Sequence, residues 1–379
     1  MDYFNQIFSL PLLEQVLLLV LVVAVFIQLF YFLFFYLRLA FHKEKGESEI
    51  QNRPVSIIVC SKNEEKNLRR IIPEIMDQDY PDFQLVVVDD QSWDGSPGIL
   101  STFKLTYPDL HVVELRENKV RMQGKKFALS MGIRAAKYDQ LLLTDADCSP
   151  NSNQWIKRMI ERSIEKPIVL GYSPYEKRKG LLNVIIRYDA FVSAVQYLSF
   201  AKAGIPYMGV GRNLAYRKEM FFEVGGFRKH NHISSGDDDL FINQVAKRNN
   251  TTICINKEAF VFSKPKTKWK DWVLQKRRHL TTAPHYKFRD KFLLSLFPMV
   301  YTAFVLSAVS LLFLHTLPLL VISIIALRFM VQLITFINSS RPLGEMKLAW
   351  FSPFLELALM TLNTVIYLRN MINKPKEWK

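Results

Sequence analysis

Residues 16–37 and 292–327 contain no Asp, Glu, Lys or Arg, whereas the stretch between them breaks into short apolar runs separated by longer mixed segments. A run of about 22 uncharged residues is long enough to cross a bilayer. The first run is too long for a signal-peptide core. Asp2 and Glu14 precede it in place of a basic segment, and no small-residue cleavage site follows, so it is expected to remain as a span. The second run carries His315 and Pro318 near its middle, which predicts two spans joined by a short turn. Arg328 and Gln332 fall in the second of these. Residues 350–368 form a further candidate, interrupted by Pro353 and Glu356, and a fourth span is expected there.

In the middle the pattern alternates. Strands are predicted at 55–60, 85–89, 111–115 and 140–144, and helices at 64–76, 99–106 and 125–136. Strands spaced by helices of this length imply βαβ units and a parallel sheet covered on both faces. In such sheets ligands bind beyond the carboxyl ends of the strands. Residues 43–53 are charged and polar and read as a linker. Residues 181–200 read as a long helix with an apolar face, suited to the core or to a membrane surface.

Charge sharpens this picture. The net charge is +15, from 50 basic and 35 acidic residues, with much of the excess in 264–278 and 287–291, just before the C-terminal apolar block. Beside membrane helices such an excess points to anionic headgroups rather than nucleic acid. Arg38, Lys43 and Lys45 follow the first span, so the positive-inside rule places the middle of the chain in the cytoplasm. A fourth span would put Arg369, Lys374, Lys376 and Lys379 on the opposite side, against that rule. The cysteines Cys60, Cys148 and Cys254 are far apart and read as small buried thiols. His230-x-His232 reads as a solvated loop, with a role near a metal as the minor alternative.

The polar residues at the strand ends carry the chemistry. Residues 60–64, Asp89-Asp90 and Asp145-Ala146-Asp147 all fall at carboxyl ends of predicted strands, and a third acidic cluster, Asp237-Asp238-Asp239, follows later. Two carboxylates one residue apart at a strand end can hold a divalent cation, Mn²⁺ or Mg²⁺, which can in turn carry a diphosphate. A carboxylate from another element can act as a base.

Several stretches together resemble the inverting glycosyltransferases of family 2. They are Ser56-Ile-Ile-Val-Cys-Ser-Lys-Asn-Glu64, Val88-Asp-Asp-Gln-Ser-Trp-Asp-Gly95, Gly124-Lys-Lys-Phe-Ala-Leu-Ser-Met-Gly-Ile133, Asp145-Ala-Asp147, Gly209-Val-Gly-Arg-Asn213 and Gln275-x-x-Arg-His279. The resemblance covers residues 54–280 and implies a GT-A, Rossmann-like domain. It implies that Glu64, Asp89 and Asp90 face the nucleotide and that Lys125 neutralises phosphate, helped by a helix N-terminus. Asp147 becomes the direct metal ligand, with Asp145 as a second ligand or a contact to the donor sugar or ribose. Asp237 or Asp238 becomes the catalytic base, with Asp238 preferred. Gln275 and Arg278 match Q-x-x-R of the family's Q-x-x-R-W, where the Arg offsets leaving-group charge. His279 replaces the Trp, which fits single transfers better than long processive synthesis.

The expected organisation is a membrane helix and linker at 1–45, a cytoplasmic catalytic domain at 46–290 and a membrane region at 291–379, in a multi-pass protein of the inner membrane. The expected substrates are a nucleoside diphosphate sugar and a lipid-linked or membrane-proximal acceptor. A nucleotidyltransferase would carry a glycine-rich loop after the first strand, where this chain has Cys60-Ser-Lys-Asn-Glu64. A degenerate scaffold would be expected to lose the carboxylates, yet all three clusters are present.

Overall fold

The computed structural model describes residues 2–42, 53–115, 124–233 and 235–372. Most of the linker expected at 43–53, with Lys43 and Lys45, and the tail residues Lys374, Lys376 and Lys379 lie outside these. The chain divides into two units, Met1–Phe41 with Lys287–Thr361, and His42–Tyr286 with Leu362–Lys379.

The second unit is built on strands β1 (Val55–Ser61), β2 (Phe83–Asp90), β3 (Leu110–Leu115), β4 (Gln140–Asp145), β5 (Cys148–Pro150), β6 (Ile168–Gly171), β7 (Leu214–Arg217), β8 (Thr251–Cys254) and β9 (Val261–Ser263). Seven of them form one sheet in the order β3-β2-β1-β4-β7-β6-β8, and β5 pairs with β9. β3, β2, β1 and β4 are parallel as the pattern predicts. The expectation of a wholly parallel sheet fails at β7, which runs antiparallel to both β4 and β6. β7 follows the long Leu181–Lys202 helix and is only four residues long, too short to announce its direction by periodicity.

Near-continuous burial explains the parallel core. Ile57, Ile58, Val59, Val86, Val87, Val88, Leu141 and Leu142 are all inaccessible or nearly so, each contributing roughly 1.5–3 kcal/mol on leaving water. The Lys125–Ala135 helix lies close on this sheet because residue 132 is glycine. A Cβ there would stand 2.8 Å from Ile58 Cγ2 and 2.9 Å from Val88 Cγ2. β1 lies between β2 and β4, so the chain order reverses at the β1/β4 boundary, where Cys60 pairs with Asp145. That is the position at which α/β sheets open a binding crevice.

The first unit holds three helices long and apolar enough to cross a membrane: Leu12–Ala40, Phe288–Phe313 and Pro318–Leu343. The turn between the last two has His315 and Leu317 at positive φ, where the sequence placed it. Leu12–Ala40 contains a π-helical stretch, Tyr31–Tyr36, whose rings pack on Phe297 and Phe336. The Tyr31 hydroxyl donates to the Leu293 carbonyl at 2.7 Å. Where a fourth span is expected, Ser352–Ile372 is a long helix, but Glu356, Asn363, Arg369 and Asn370 along its length leave it less apolar than these three among the described residues.

Candidate active site

Asp145 ends β4 and Asp147 stands in the tight turn that leads to β5. Ligand atoms of Asp145, Asp147 and Cys148 lie within 4.8 Å of one another. The donor set fits a hard divalent cation through its two carboxylates. Cys148 is the softer donor beside them, and burial, then the charge of Asp147, holds its thiol well above its ordinary range. The turn is fixed from behind by Arg70 on the Glu65–Met76 helix. Its guanidinium donates to the Asp147 and Cys148 carbonyls at 3.3 Å and also to Ser149 Oγ.

Lys125, the first residue of its helix, joins this turn to the third acidic cluster. Its ammonium lies 2.9 Å from Asp145 and 3.0 Å from Asp237. Burial works against this charge, but Asp145 and Asp237 outweigh it and hold the ammonium well above its ordinary range. Lys125, Asp145, Asp237 and Asp238 also line one small cavity of about 10 Å³, with Cys60 and Gly211.

The three adjoining aspartates have three different situations. Asp237 is ion-paired with Lys125, which overcomes burial and lowers its pKa. Asp239 accepts from the hydroxyls of Thr282 and of Tyr286, the latter at 2.7 Å, so it ties its helix to the segment after the Q-x-x-R helix. Asp238 caps the Asp239–Val245 helix. It accepts from the Asp239 amide and from the Gly211 amide, both at 2.7 Å. Burial and the charges of Asp237 and Asp239 push it up to about 7, where a carboxylate can exchange a proton near neutral pH.

On the other side of β1, Asp89 and Asp90 end β2, only 5% and 3% exposed. Burial raises both, with Ser92 hydrogen bonds opposing it at Asp89 and Lys62 opposing it at Asp90. Asp89 Oδ1 and Asp90 Oδ2 are buried without a hydrogen bond, although Lys62 lies 3.9 Å from Asp90. Glu64 accepts from Asn67 at 2.6 Å, and burial raises it as well. The two loops are latched together: the Asn63 amide donates to Ser92 Oγ at 2.8 Å and the Trp93 amide to Asn63 Oδ1 at 2.9 Å. Asn63 and Gln91 both adopt positive φ, uncommon for residues with a Cβ, as occurs at functional loops.

Gln275 and Arg278 lie on the Trp269–His279 helix. Gln275 Nε2 is 3.5 Å from the Tyr175 hydroxyl, and Arg278 Nε is buried without a partner. Burial, then Lys276, Arg212, Arg278 and Lys125, lower the pKa of the His279 imidazole. Because that residue is exposed, the four cations are the firmer cause.

Residues 56–225 match the model described as "Glycosyl transferase family 2". The match runs from β1 to just past β7, so this stretch is similar to family 2 glycosyltransferases. It is similar to glycosyltransferase AglE of Haloferax volcanii, 29% identical over 188 residues, which is 48% of this chain and 58% of that protein. It is also similar to beta-monoglucosyldiacylglycerol synthase of Synechocystis sp., 33% identical over 136 residues, 35% of this chain and 27% of that one. The chain thus spans less than two thirds of either relative's length. Among solved structures, the mannosyltransferase from Pyrobaculum calidifontis, in complex with GDP-Man and Mn²⁺, has a TM-score of 0.65 at 19% identity. That match covers 96% of this chain and 100% of the other, and the shared fold is GT-A.

Around these residues, sequence reasoning missed two supports. Lys126, 6% exposed, turns away from Lys125 and donates to the carbonyls of His230 at 2.7 Å and Ile233 at 3.0 Å. It also lies 3.1 Å from His230 Nδ1. Burial lowers Lys126 to about 8 and, followed by Lys126 itself, lowers His230 to about 4. His230 is therefore a buried partner of Lys126 rather than a solvated loop residue, and Lys126 anchors the loop that leads to Asp237. The only sequence signal was the doubled lysine. Arg70, the other support, gave no signal beyond a basic residue on an amphipathic helix.

Proposed function

We propose that this protein is a membrane-bound, inverting glycosyltransferase. It moves a sugar from a nucleoside diphosphate sugar to a lipid-linked or otherwise membrane-proximal acceptor. The observation that carries this reading is Lys125 holding Asp145 of the D-x-D turn and Asp237 of the third cluster together at one sheet edge. This supports a metal-side role for the first and a place beside the base for the second, where the chain order reverses. The domains proposed remain the membrane helix and linker at 1–45, the catalytic domain at 46–290 and the membrane region at 291–379. The catalytic domain faces the cytoplasm, as the basic residues after the first span argue.

Asp147 and Asp145 would hold the divalent cation, which supplies Lewis-acid stabilisation of a departing diphosphate when bound. Glu64, Asp89 and Asp90 receive the nucleotide, where the unbonded carboxylate oxygens suit imide or ribose donors. Asp238 takes the proton of the acceptor hydroxyl as its oxygen attacks the anomeric carbon, and Asp237 keeps Lys125 in place. Lys125 is released from Asp145 toward phosphate when the donor binds. Arg278 offsets charge on the leaving group and Gln275 positions that helix. Catalysis here is mainly alignment and fixed charge.

Purified full-length protein in detergent, incubated with a panel of UDP- and GDP-sugars, tests this. Release of nucleoside diphosphate should require Mn²⁺ or Mg²⁺ and cease with EDTA. Turnover of no nucleotide sugar under any metal condition, with or without membrane lipid extract as acceptor, would sink the reading.

A further inference from the structure

Gly211, Arg212 and Asn213 are consecutive, and two of them have structural tasks. The Gly211 amide holds Asp238. Asn213 is fully buried, accepting from Trp155 Nε1 at 3.0 Å and donating to the carbonyls of Tyr172 and Ala259 at 2.9 and 2.8 Å. Arg212 between them has no such task. Its guanidinium lies face-on over the Tyr175 ring, 4.6 Å from the centroid, and its Nη1 is buried without a hydrogen-bond partner.

The backbone sets where this cation stands. Tyr175 bridges Ser263, and Ser263 pairs with Cys148, the residue after Asp147. Tyr175 is therefore held one ladder step from the D-x-D turn. Its hydroxyl meets Gln275 of the Q-x-x-R helix at 3.5 Å. An arginine guanidinium stays protonated in proteins, and the Asp145 and Asp147 carboxylates favour the Arg212 charge against burial. A planar fork fixed on an aromatic face, beside two carboxylates but bonded to neither, is organised for an external anion. A buried donor with no partner is the kind of orphan that a bound ligand satisfies.

We propose that Arg212 contacts the diphosphate of the nucleotide donor, on the side of the D-x-D turn, with Tyr175 as its platform. This rests on the glycosyltransferase reading above. The acceptor side is disfavoured because the neighbours that set Arg212 in place belong to the D-x-D turn.

Calorimetric titration of full-length protein in detergent with Mn²⁺ tests it, using GDP against GMP and UDP against UMP. Wild type should bind one diphosphate more tightly than its monophosphate. Arg212→Gln should weaken the diphosphate by roughly 10-fold or more, the scale of a lost charge-assisted hydrogen bond. Monophosphate binding should stay within about twofold, since the nucleoside contacts are untouched. Arg212→Lys keeps the charge without the planar fork and should fall between. Unchanged diphosphate binding in Arg212→Gln overturns the assignment. So does an equal loss for both nucleotides, which would make Arg212 a support of the fold. A wild type that binds none of the four nucleotides sinks the donor reading itself, and this inference with it.

Discussion

The protein buries cations beside carboxylates in two places, and they differ in one respect. In the apolar unit, Arg328 is fully enclosed. Its Nε donates to Gln28 at 2.9 Å, its Nη1 to Gln332, and its Nη2 to Glu356 at 2.6 Å, while Phe32, Tyr301, Phe304 and Phe329 surround it. Every nitrogen of the fork has a partner. In the unit built on the sheet, Lys125 is shared between Asp145 and Asp237 and remains partly exposed, while Asp89, Asp90, Arg212 and Arg278 each keep a buried atom unbonded. A closed polar network fixes a structure; an open one is held ready for something that is not yet there. The second network should be sensitive in activity and the first in stability.

The sharpest break is Asp147→Asn. Removing a carboxylate ligand withdraws Lewis-acid stabilisation worth several kcal/mol, so transfer should fall by about 10³-fold or more. The melting temperature should hold, because the turn is fixed through the Asp147 carbonyl by Arg70 rather than through its carboxylate. Transfer near the wild-type rate at saturating Mn²⁺ would remove Asp147 from the metal site.

The reverse pattern is expected at the closed network. Glu356→Leu leaves Arg328 buried without its counter-charge, a loss of roughly 3–5 kcal/mol. Thermal unfolding followed in detergent should show it, and Arg328→Met added to Glu356→Leu should recover most of the loss. A double variant no more stable than the single one would mean that the pair is not a coupled unit.

How legible these networks were depends on how local their signals are. The strand-end clusters Asp89-Asp90 and Asp145-Ala-Asp147 were visible because each follows an apolar run on the chain. So were the four parallel strands and the turn at residues 315–317. The direction of β7 was not, because a four-residue buried strand has no pattern that distinguishes its neighbours. Lys126–His230 and Arg212–Tyr175 join residues far apart in the chain, and nothing in either segment names the other. The Arg328 network shows the same limit. Arg328, Gln332 and Glu356 were each visible as polar residues in apolar company, yet only the fold reveals that they answer one another.

Within the open network, Asp237 and Asp238 can be told apart. Asp238→Asn should cut turnover by roughly 10²-fold, the scale of a positioned base, while nucleotide binding stays near wild type. Asp237→Asn should act less on the base step and more on donor affinity, since it frees Lys125 from one of its two partners. Steady-state kinetics that separate kcat from donor KM decide this, and a larger kcat loss in Asp237→Asn would exchange the two roles.

The smallest effect is the most specific. If Asp238 is the base, turnover needs it deprotonated, so log kcat should rise with pH and level off above about 7. The raised pKa comes from burial and then from Asp237 and Asp239. Asp237→Asn removes one negative neighbour, so the acid limb should move to lower pH, by on the order of one unit. Stability gives an independent sign. A carboxyl with a pKa near 7 in the folded state and about 3.9 unfolded favours folding in its protonated form. Its contribution is complete below about 3.9 and is lost as pH rises through 7. Asp238→Asn should therefore melt at a higher temperature than wild type at pH 8, and the difference should shrink toward pH 5. An acid limb that stays in place in Asp237→Asn, together with equal melting temperatures at pH 8, would return Asp238 to the role of a helix cap.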